Sequence, residues 1–306
     1  MLKNKEKILV ILGTTASGKT SLGVKLADKY NGEIIGADSR QVYKGMDVGT
    51  GKDLHEYKMG KKKIPYHLID VVKPNTKFNL AKYQKLTIKA IDDILKRGKL
   101  PIIVGGTGLY LQAIVDNYQL SNAKPNQERR KELEKLSAEE LFKILKKTKP
   151  SFASKINNSD RNNARRLVRY VEIIEQGNIG VEGKKESPYD FLLLGLEWPD
   201  NELRKRIEYR LLTRLENEGM IAETKRLNNE GVSWKRLISF GLEYKFIAWH
   251  LQGKMNYSEM VEKLGIATYR FAKKQKSWFK RWEKQGRKIE WIKDNPEAEK
   301  KIDKWL

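Results

Sequence analysis

The chain contains no cysteine. That excludes disulfides, thiolate zinc sites and cysteine nucleophiles. Histidine is nearly as scarce, with only His55, His67 and His250. These lie far apart and show no ligand spacing, so a histidine metal site is not expected. Long apolar runs are missing too. The longest early one, Ile8 to Leu12, is too short to span a bilayer. No small-residue cleavage pattern follows an N-terminal apolar stretch, so no signal peptide is read and a cytoplasmic location is expected. Internal repeats and low-complexity segments are absent. Acidic residues are outnumbered, 39 Asp and Glu against 62 Lys and Arg, and the net charge is +23 over 306 residues. Such a balance suits either a lysine-rich soluble protein or one with a polyanionic partner. Lysine is scattered throughout, so placement must decide between them.

What is present supports a folded protein. The length suits two domains, or one large domain with an insertion. Hydrophobic residues make up 39% and are spread along the whole chain, enough for a core. Lys7 to Leu12 reads as a strand buried on both faces. Lys19 to Tyr30 carries Leu22, Leu26 and Ala27 on one helical face. Glu33 to Ala37, Pro65 to Val72 and Leu100 to Val104 read as further strands, and Leu80 to Arg97 as a helix. Strands alternating with helices predict a parallel sheet with helices on both faces. From Gln127 to Gln176 the pattern is polar and helical, with breaks at Pro125 and Pro150. A turn-rich stretch, Gly177 to Pro188, follows. Phe191 to Leu196 then returns to buried-strand character, and the remainder is helical. The expected fold is therefore α/β, with a core of residues 1–117 and 190–306 and an inserted, mainly helical domain at 118–189.

Gly13-Thr14-Thr15-Ala16-Ser17-Gly18-Lys19-Thr20 fits G-x-x-x-x-G-K-[ST] without a gap. Its glycines let backbone wrap an anion, and N–H groups at the helix start point at phosphate oxygens. Lys19 adds a cation, and the Thr20 hydroxyl can ligate Mg²⁺. The motif does not say what carries the phosphate. Asp38, at the end of the second strand, either supports the metal or stands nearer the chemistry.

Four strings in order narrow the choice: the phosphate loop, Asp38 to Thr50, Pro65 to Asp70, and Gly105 to Tyr110. With Asp160 to Glu172 and Tyr269 to Trp282, they make the chain resemble the tRNA dimethylallyltransferases over nearly its whole length. Departures are local. Thr14 stands for the family's usual Pro, Tyr66 for one His of a pair, and Gly51-Lys52 for Ala-Lys.

The resemblance implies transfer of a prenyl group from dimethylallyl diphosphate to N6 of the adenosine just 3′ of the anticodon. The tRNAs would be those reading codons that begin with U. The phosphate loop would then hold the donor's diphosphate with Mg²⁺. N6 is a poor nucleophile and needs a proton acceptor. The family's matching residue assigns that role to Asp38, with Asp47 and Asp70 as weaker alternatives. Thr107 would contact substrate. The tRNA would meet Asp38, Ser39, Arg40, Gln41, Thr107, Arg129 and the run Arg165, Arg166, Leu167, Val168, Arg169. Gln41 could hold a flipped base by its amide. Ala267, Phe271, Trp278 and Trp282 form a stripe expected to dock a C-terminal helix, leaving its cations to RNA. A monomer is expected. Competing readings are an adenylate isopentenyltransferase or small-molecule kinase, which would not need the basic clusters, and a non-catalytic RNA binder, which would need neither Asp38 nor Lys19.

Overall fold

The computed structural model describes residues 5–121, 123–124, 126–177 and 185–306. The break expected at Pro125 and most of the turn-rich stretch at 177–188 lie outside them. The chain divides into two compact units, Met1–Asp116 with Glu186–Leu306, and Asn117–Lys185.

In the first unit six strands form one sheet: β1 Glu6–Gly13, β2 Gly32–Gly36, β3 Tyr66–His67, β4 Leu100–Gly105, β5 Tyr189–Leu196 and β6 Glu290–Ile292. The spatial order is β3-β2-β4-β1-β5-β6, and every pairing is parallel. β1 lies in the middle, with Ile8 to Leu12 fully buried, as its unbroken apolar run requires. The strand expected over 65–72 is only two residues long. Leu68 and Asp70 have positive φ, which turns the chain out of the sheet.

Helices cover both faces. α1 (Lys19–Lys29) packs on one side, and α2 (Leu80–Lys96) and α3 (Gly108–Val115) on the other. The inserted unit holds α4 (Gln127–Leu133), α5 (Ala138–Thr148), α6 (Pro150–Ala153), α7 (Asn158–Arg161) and α8 (Ala164–Glu175). Its own core comprises Leu133, Leu141, Phe142, Leu145, Leu167, Val168 and Val171. The first unit then continues with α9 (Asp200–Glu216), α10 (Met220–Asn229), α11 (Trp234–Phe240), α12 (Leu242–Leu251), α13 (Tyr257–Lys284) and α14 (Asn295–Trp305).

The aromatic stripe of α13 differs from expectation. Its buried residues are Met260, Leu264, Thr268, Ala272, Gln275, Phe279 and Trp282. Phe271 and Trp278 instead line a cavity. The buried face recurs every three or four residues, but it includes polar Thr268 and Gln275 because it also covers the phosphate loop. Apolar character alone therefore pointed slightly around the helix.

One glycine is demanded by close approach. A Cβ on Gly105 would lie 2.2 Å from the Ala37 carbonyl oxygen on the neighbouring strand. Gly105→Ala must push two buried strands apart, so a loss of about 1–3 kcal/mol is expected. Urea denaturation should show it as a lower midpoint at unchanged slope.

Candidate functional site

The phosphate loop leaves β1 at Gly13 and enters α1 at Lys19. Ala16 (φ 59°) and Gly18 (φ 89°) are left-handed, which curls the backbone around an open centre. Gly18 caps α1 with no side chain, so the first helical N–H groups stay available to an anion. Lys19 reaches back to the Thr14 carbonyl at 3.0 Å. Burial, and then the Arg210 guanidinium, bring its pKa down to about 8.

The loop is braced by residues distant in sequence. Gln275 on α13 accepts from Thr15 N at 2.8 Å and donates to the Gly106 carbonyl at 2.9 Å. It thereby ties the loop to the end of β4. Arg206 donates to the Ala16 carbonyl at 2.8 Å. Its guanidinium stacks on Trp198, which donates to the Ser17 carbonyl. Arg210, one turn along α9, lines the cavity above the loop. Burial and the neighbouring Arg214 bring its pKa down to about 10. Lys19 and Arg210 repel one another and have no ion pair among the described residues, although Asp38, Asp53 and Glu243 line the same cavity; a polyphosphate would relieve that repulsion. Sequence reading assigned no role to Gln275, although it lies within the Tyr269 to Trp282 string, and had no signal for Arg210; each meets the loop across about 200 residues or more.

A cavity of about 260 Å³ opens beside the loop, at the carboxyl ends of the parallel strands. It brings together Thr15, Lys19, Thr20, Asp38, Ser39, Arg40, Gln41 and Thr107. Asp38 Oδ1 accepts from Arg40 N at 2.8 Å and Gln41 N at 3.3 Å. Those bonds fix the carboxylate and leave Oδ2 without a partner among the described residues. Thr107 Oγ1 accepts from Ser39 N at 3.2 Å, so its own proton remains to be donated. Trp278 and Thr268 also line this cavity, and their Nε1 and Oγ1 are buried without a hydrogen-bond partner among the described residues.

The alternatives to Asp38 are engaged elsewhere. Fully buried Lys52 donates to the Tyr43 carbonyl and to Asp47, each at 2.7 Å, and to Asp70. Asp47 and Asp70 thus neutralise a buried cation. The Gln41 amide is partly engaged as well. Its Nε2 donates to the Thr50 and Gly51 carbonyls, at 3.3 and 2.7 Å. The amide N–H groups hold a loop, and Oε1 alone remains for a ligand.

A second, more open groove of about 600 Å³ adjoins the cavity. Arg40, Leu242, Phe271 and Lys274 line both. Lys245, Lys263 and Arg270 add cations, and Phe246 adds a second ring. Cations interleaved with rings suit a single nucleic-acid strand.

In the inserted unit, Arg129 is bound to Glu175 and Glu132. Arg166 pairs with Asp160, and Arg169 stands 3.6 Å from Glu172. Arg165 is exposed and has no ion pair among the described residues. Leu167 and Val168 are buried in that unit's core, so their side chains offer a partner no surface. The periodicity of the helix turns both side chains inward.

No cluster of three or more carboxylates or histidines among the described residues could hold a metal unaided. Thr20 and Asp38 on one cavity wall nevertheless fit Mg²⁺, which keeps several waters and binds through substrate phosphates. Among the described residues no helix is long and apolar enough to cross a membrane.

A phosphate loop at the carboxyl edge of a parallel sheet, with a helical unit inserted, defines a P-loop α/β protein. The model of the IPP transferase family matches residues 41–282. A tRNA dimethylallyltransferase 1 of Syntrophus aciditrophicus is 46% identical over 303 residues, 97% of this chain and 96% of that protein. One of Parabacteroides distasonis is 42% identical over 97% and 95%. The crystal structure of a Bacillus halodurans tRNA isopentenylpyrophosphate transferase superposes with TM-score 0.68 at 33% identity, covering 98% of this chain and 95% of that one. A eukaryotic dimethylallyltransferase acting on tRNA gives 0.72 at 30% identity, over 89% and 69%. The chain belongs to the IPP transferase family.

Proposed function

We propose that this chain transfers a dimethylallyl group from dimethylallyl diphosphate to N6 of the adenosine 3′ of the anticodon, in tRNAs reading codons that begin with U. The observation that carries the reading is one cavity holding an anion cradle and a carboxylate with a free oxygen, continuous with a basic, aromatic groove. A small-molecule kinase would not need that groove.

The donor's diphosphate lies in the loop Gly13 to Thr20, against Lys19 and Arg210. The adenosine leaves its stack and enters from the groove side. As N6 forms a bond to the allylic carbon, the carbon–oxygen bond to diphosphate breaks. The N6 proton passes to Asp38 Oδ2, and the departing electron pair stays on diphosphate. Lys19, Arg210 and the loop N–H groups stabilise that charge. The Thr107 hydroxyl donates to an acceptor on either substrate. Mg²⁺, held by Thr20 and the phosphates, would add charge neutralisation. The reading places the protein in the cytoplasm as a monomer.

Labelled dimethylallyl diphosphate incubated with unmodified tRNA should yield N6-isopentenyladenosine on nucleoside analysis. Label appearing in AMP but not in tRNA would overturn the reading in favour of a small-molecule transferase. A further expectation concerns the inserted unit. Arg165 has no ion pair among the described residues, so Arg165→Ala should flatten the slope of log affinity for tRNA against log salt by about 0.7–0.9. Arg166 and Arg169 already face carboxylates, so removing either should change the slope less.

A further inference from the structure

Glu223 on α10 is 8% exposed and lies outside the cavity lining. Its Oε2 accepts from Asp47 N and Val48 N, both at 2.8 Å. Oε1 accepts from Gly49 N at 3.0 Å and from Tyr244 OH at 2.7 Å. Three consecutive backbone N–H groups converging on one carboxylate form an anion-binding concavity, here filled from within the protein. Burial and then Glu223 hold the Tyr244 phenol well above its usual pKa, so it stays a donor. Fully buried Tyr244 also packs under the turn, since a Cβ on Gly49 would meet its ring at 2.7 Å.

The turn so gripped carries Gly49, Thr50 and Gly51 into the cavity wall. Its Thr50 and Gly51 carbonyls receive the Gln41 amide. The Gln41 backbone N–H in turn donates to Asp38 Oδ1. A continuous path of hydrogen bonds therefore runs from Glu223, through the turn and Gln41, to the carboxylate assigned as base.

We infer that Glu223 is a positioning residue for prenyl transfer: it sets the 47–51 turn, and through Gln41 the aim of Asp38. The inference rests on the proposed reaction. It assigns to Glu223 no contact with either substrate. The phosphate loop is braced separately by Gln275 and Arg206, so its own hold on the donor does not pass through Glu223, and only Arg210, which packs against Gly51, links the turn to the donor site.

The test uses three variants of the full chain, with tRNA prenylation and diphosphate binding measured on each. Glu223→Gln keeps the shape but presents an NH₂ group to donors, whichever way the amide is turned. It should lower kcat roughly tenfold. Glu223→Ala should lower kcat by roughly 10²-fold, the scale of a misplacement near 1 Å. Affinity for inorganic diphosphate should stay within about twofold in both, a split that general unfolding would not produce. In Glu223→Gly, added formate should refill the concavity and restore kcat at least about tenfold, with no effect on the parent.

Either full kcat in Glu223→Ala or equal loss of diphosphate affinity and kcat would overturn the inference. Where Ala and Gly variants fail to fold, the near-isosteric Gln variant decides, and its kcat within about twofold of the parent overturns the inference. A parent protein inactive on tRNA would instead refute the proposed reaction.

Discussion

Asp38→Asn is expected to lower single-turnover prenylation of tRNA by roughly 10²–10⁴, the usual share of a general base. The geometry makes this substitution discriminating. An Asn oxygen can still accept from Arg40 N and Gln41 N, as Oδ1 does. The local turn therefore survives. What changes is the other atom, the free Oδ2, which becomes an NH₂ group unable to take a proton. Affinity for dimethylallyl diphosphate should barely move, because the proposed donor site is Gly13 to Thr20 with Arg210. If Asp38 served only to support the metal, the same variant would need more Mg²⁺ and recover when it is supplied. Single-turnover rates against Mg²⁺ concentration separate the roles. Recovery to near the parent rate at high Mg²⁺ would defeat the general-base assignment.

Much of this was legible in the sequence, for a physical reason. A buried central strand needs an unbroken apolar run, and an anion loop needs glycines at set spacing, so β1 and Gly13 to Lys19 announce themselves locally. Asp38 and Thr107 are legible because each follows a short buried strand, and parallel strands end together at one edge. What braces them is not legible. Gln275, Arg206 and Glu223 act across roughly 170 to 260 residues; a lone Arg or Glu on an amphipathic helix carries no local mark, and Gln275, though inside the Tyr269 to Trp282 string, shows nothing local of the loop that it meets.

Polar side chains were also credited with ligands when they had internal partners. The Gln41 amide holds its own loop, and Asp47 and Asp70 answer the buried charge of Lys52. The arginines of α8 show the same effect. A charge count sees Arg165, Arg166 and Arg169 as equals. Folding supplies Asp160 to Arg166 and Glu172 to Arg169, and gives Arg165 no ion pair among the described residues.

Lys19→Ala should reduce kcat/KM for dimethylallyl diphosphate by roughly 10²–10³, the scale of losing one donor to a developing anion. Binding of tRNA should stay nearly unchanged, because Lys19 faces the loop interior and not the outer groove. The pKa of Lys19 adds a sharper signature. Burial and Arg210 bring it to about 8 in the free protein. A bound diphosphate is an opposite charge in contact, so it raises that pKa. Below about pH 8 the ammonium is already present and binding moves no proton. Above that value the free side chain is increasingly neutral, and binding must take up a proton. Affinity should then fall with rising pH, approaching tenfold per unit from this group. Calorimetry of inorganic diphosphate binding at pH 9, in two buffers of different ionisation enthalpy, measures the uptake directly. The parent should take up about one proton more than Lys19→Ala, the ligand's own ionisation being common to both. Equal uptake in both proteins would place the titrating cation elsewhere.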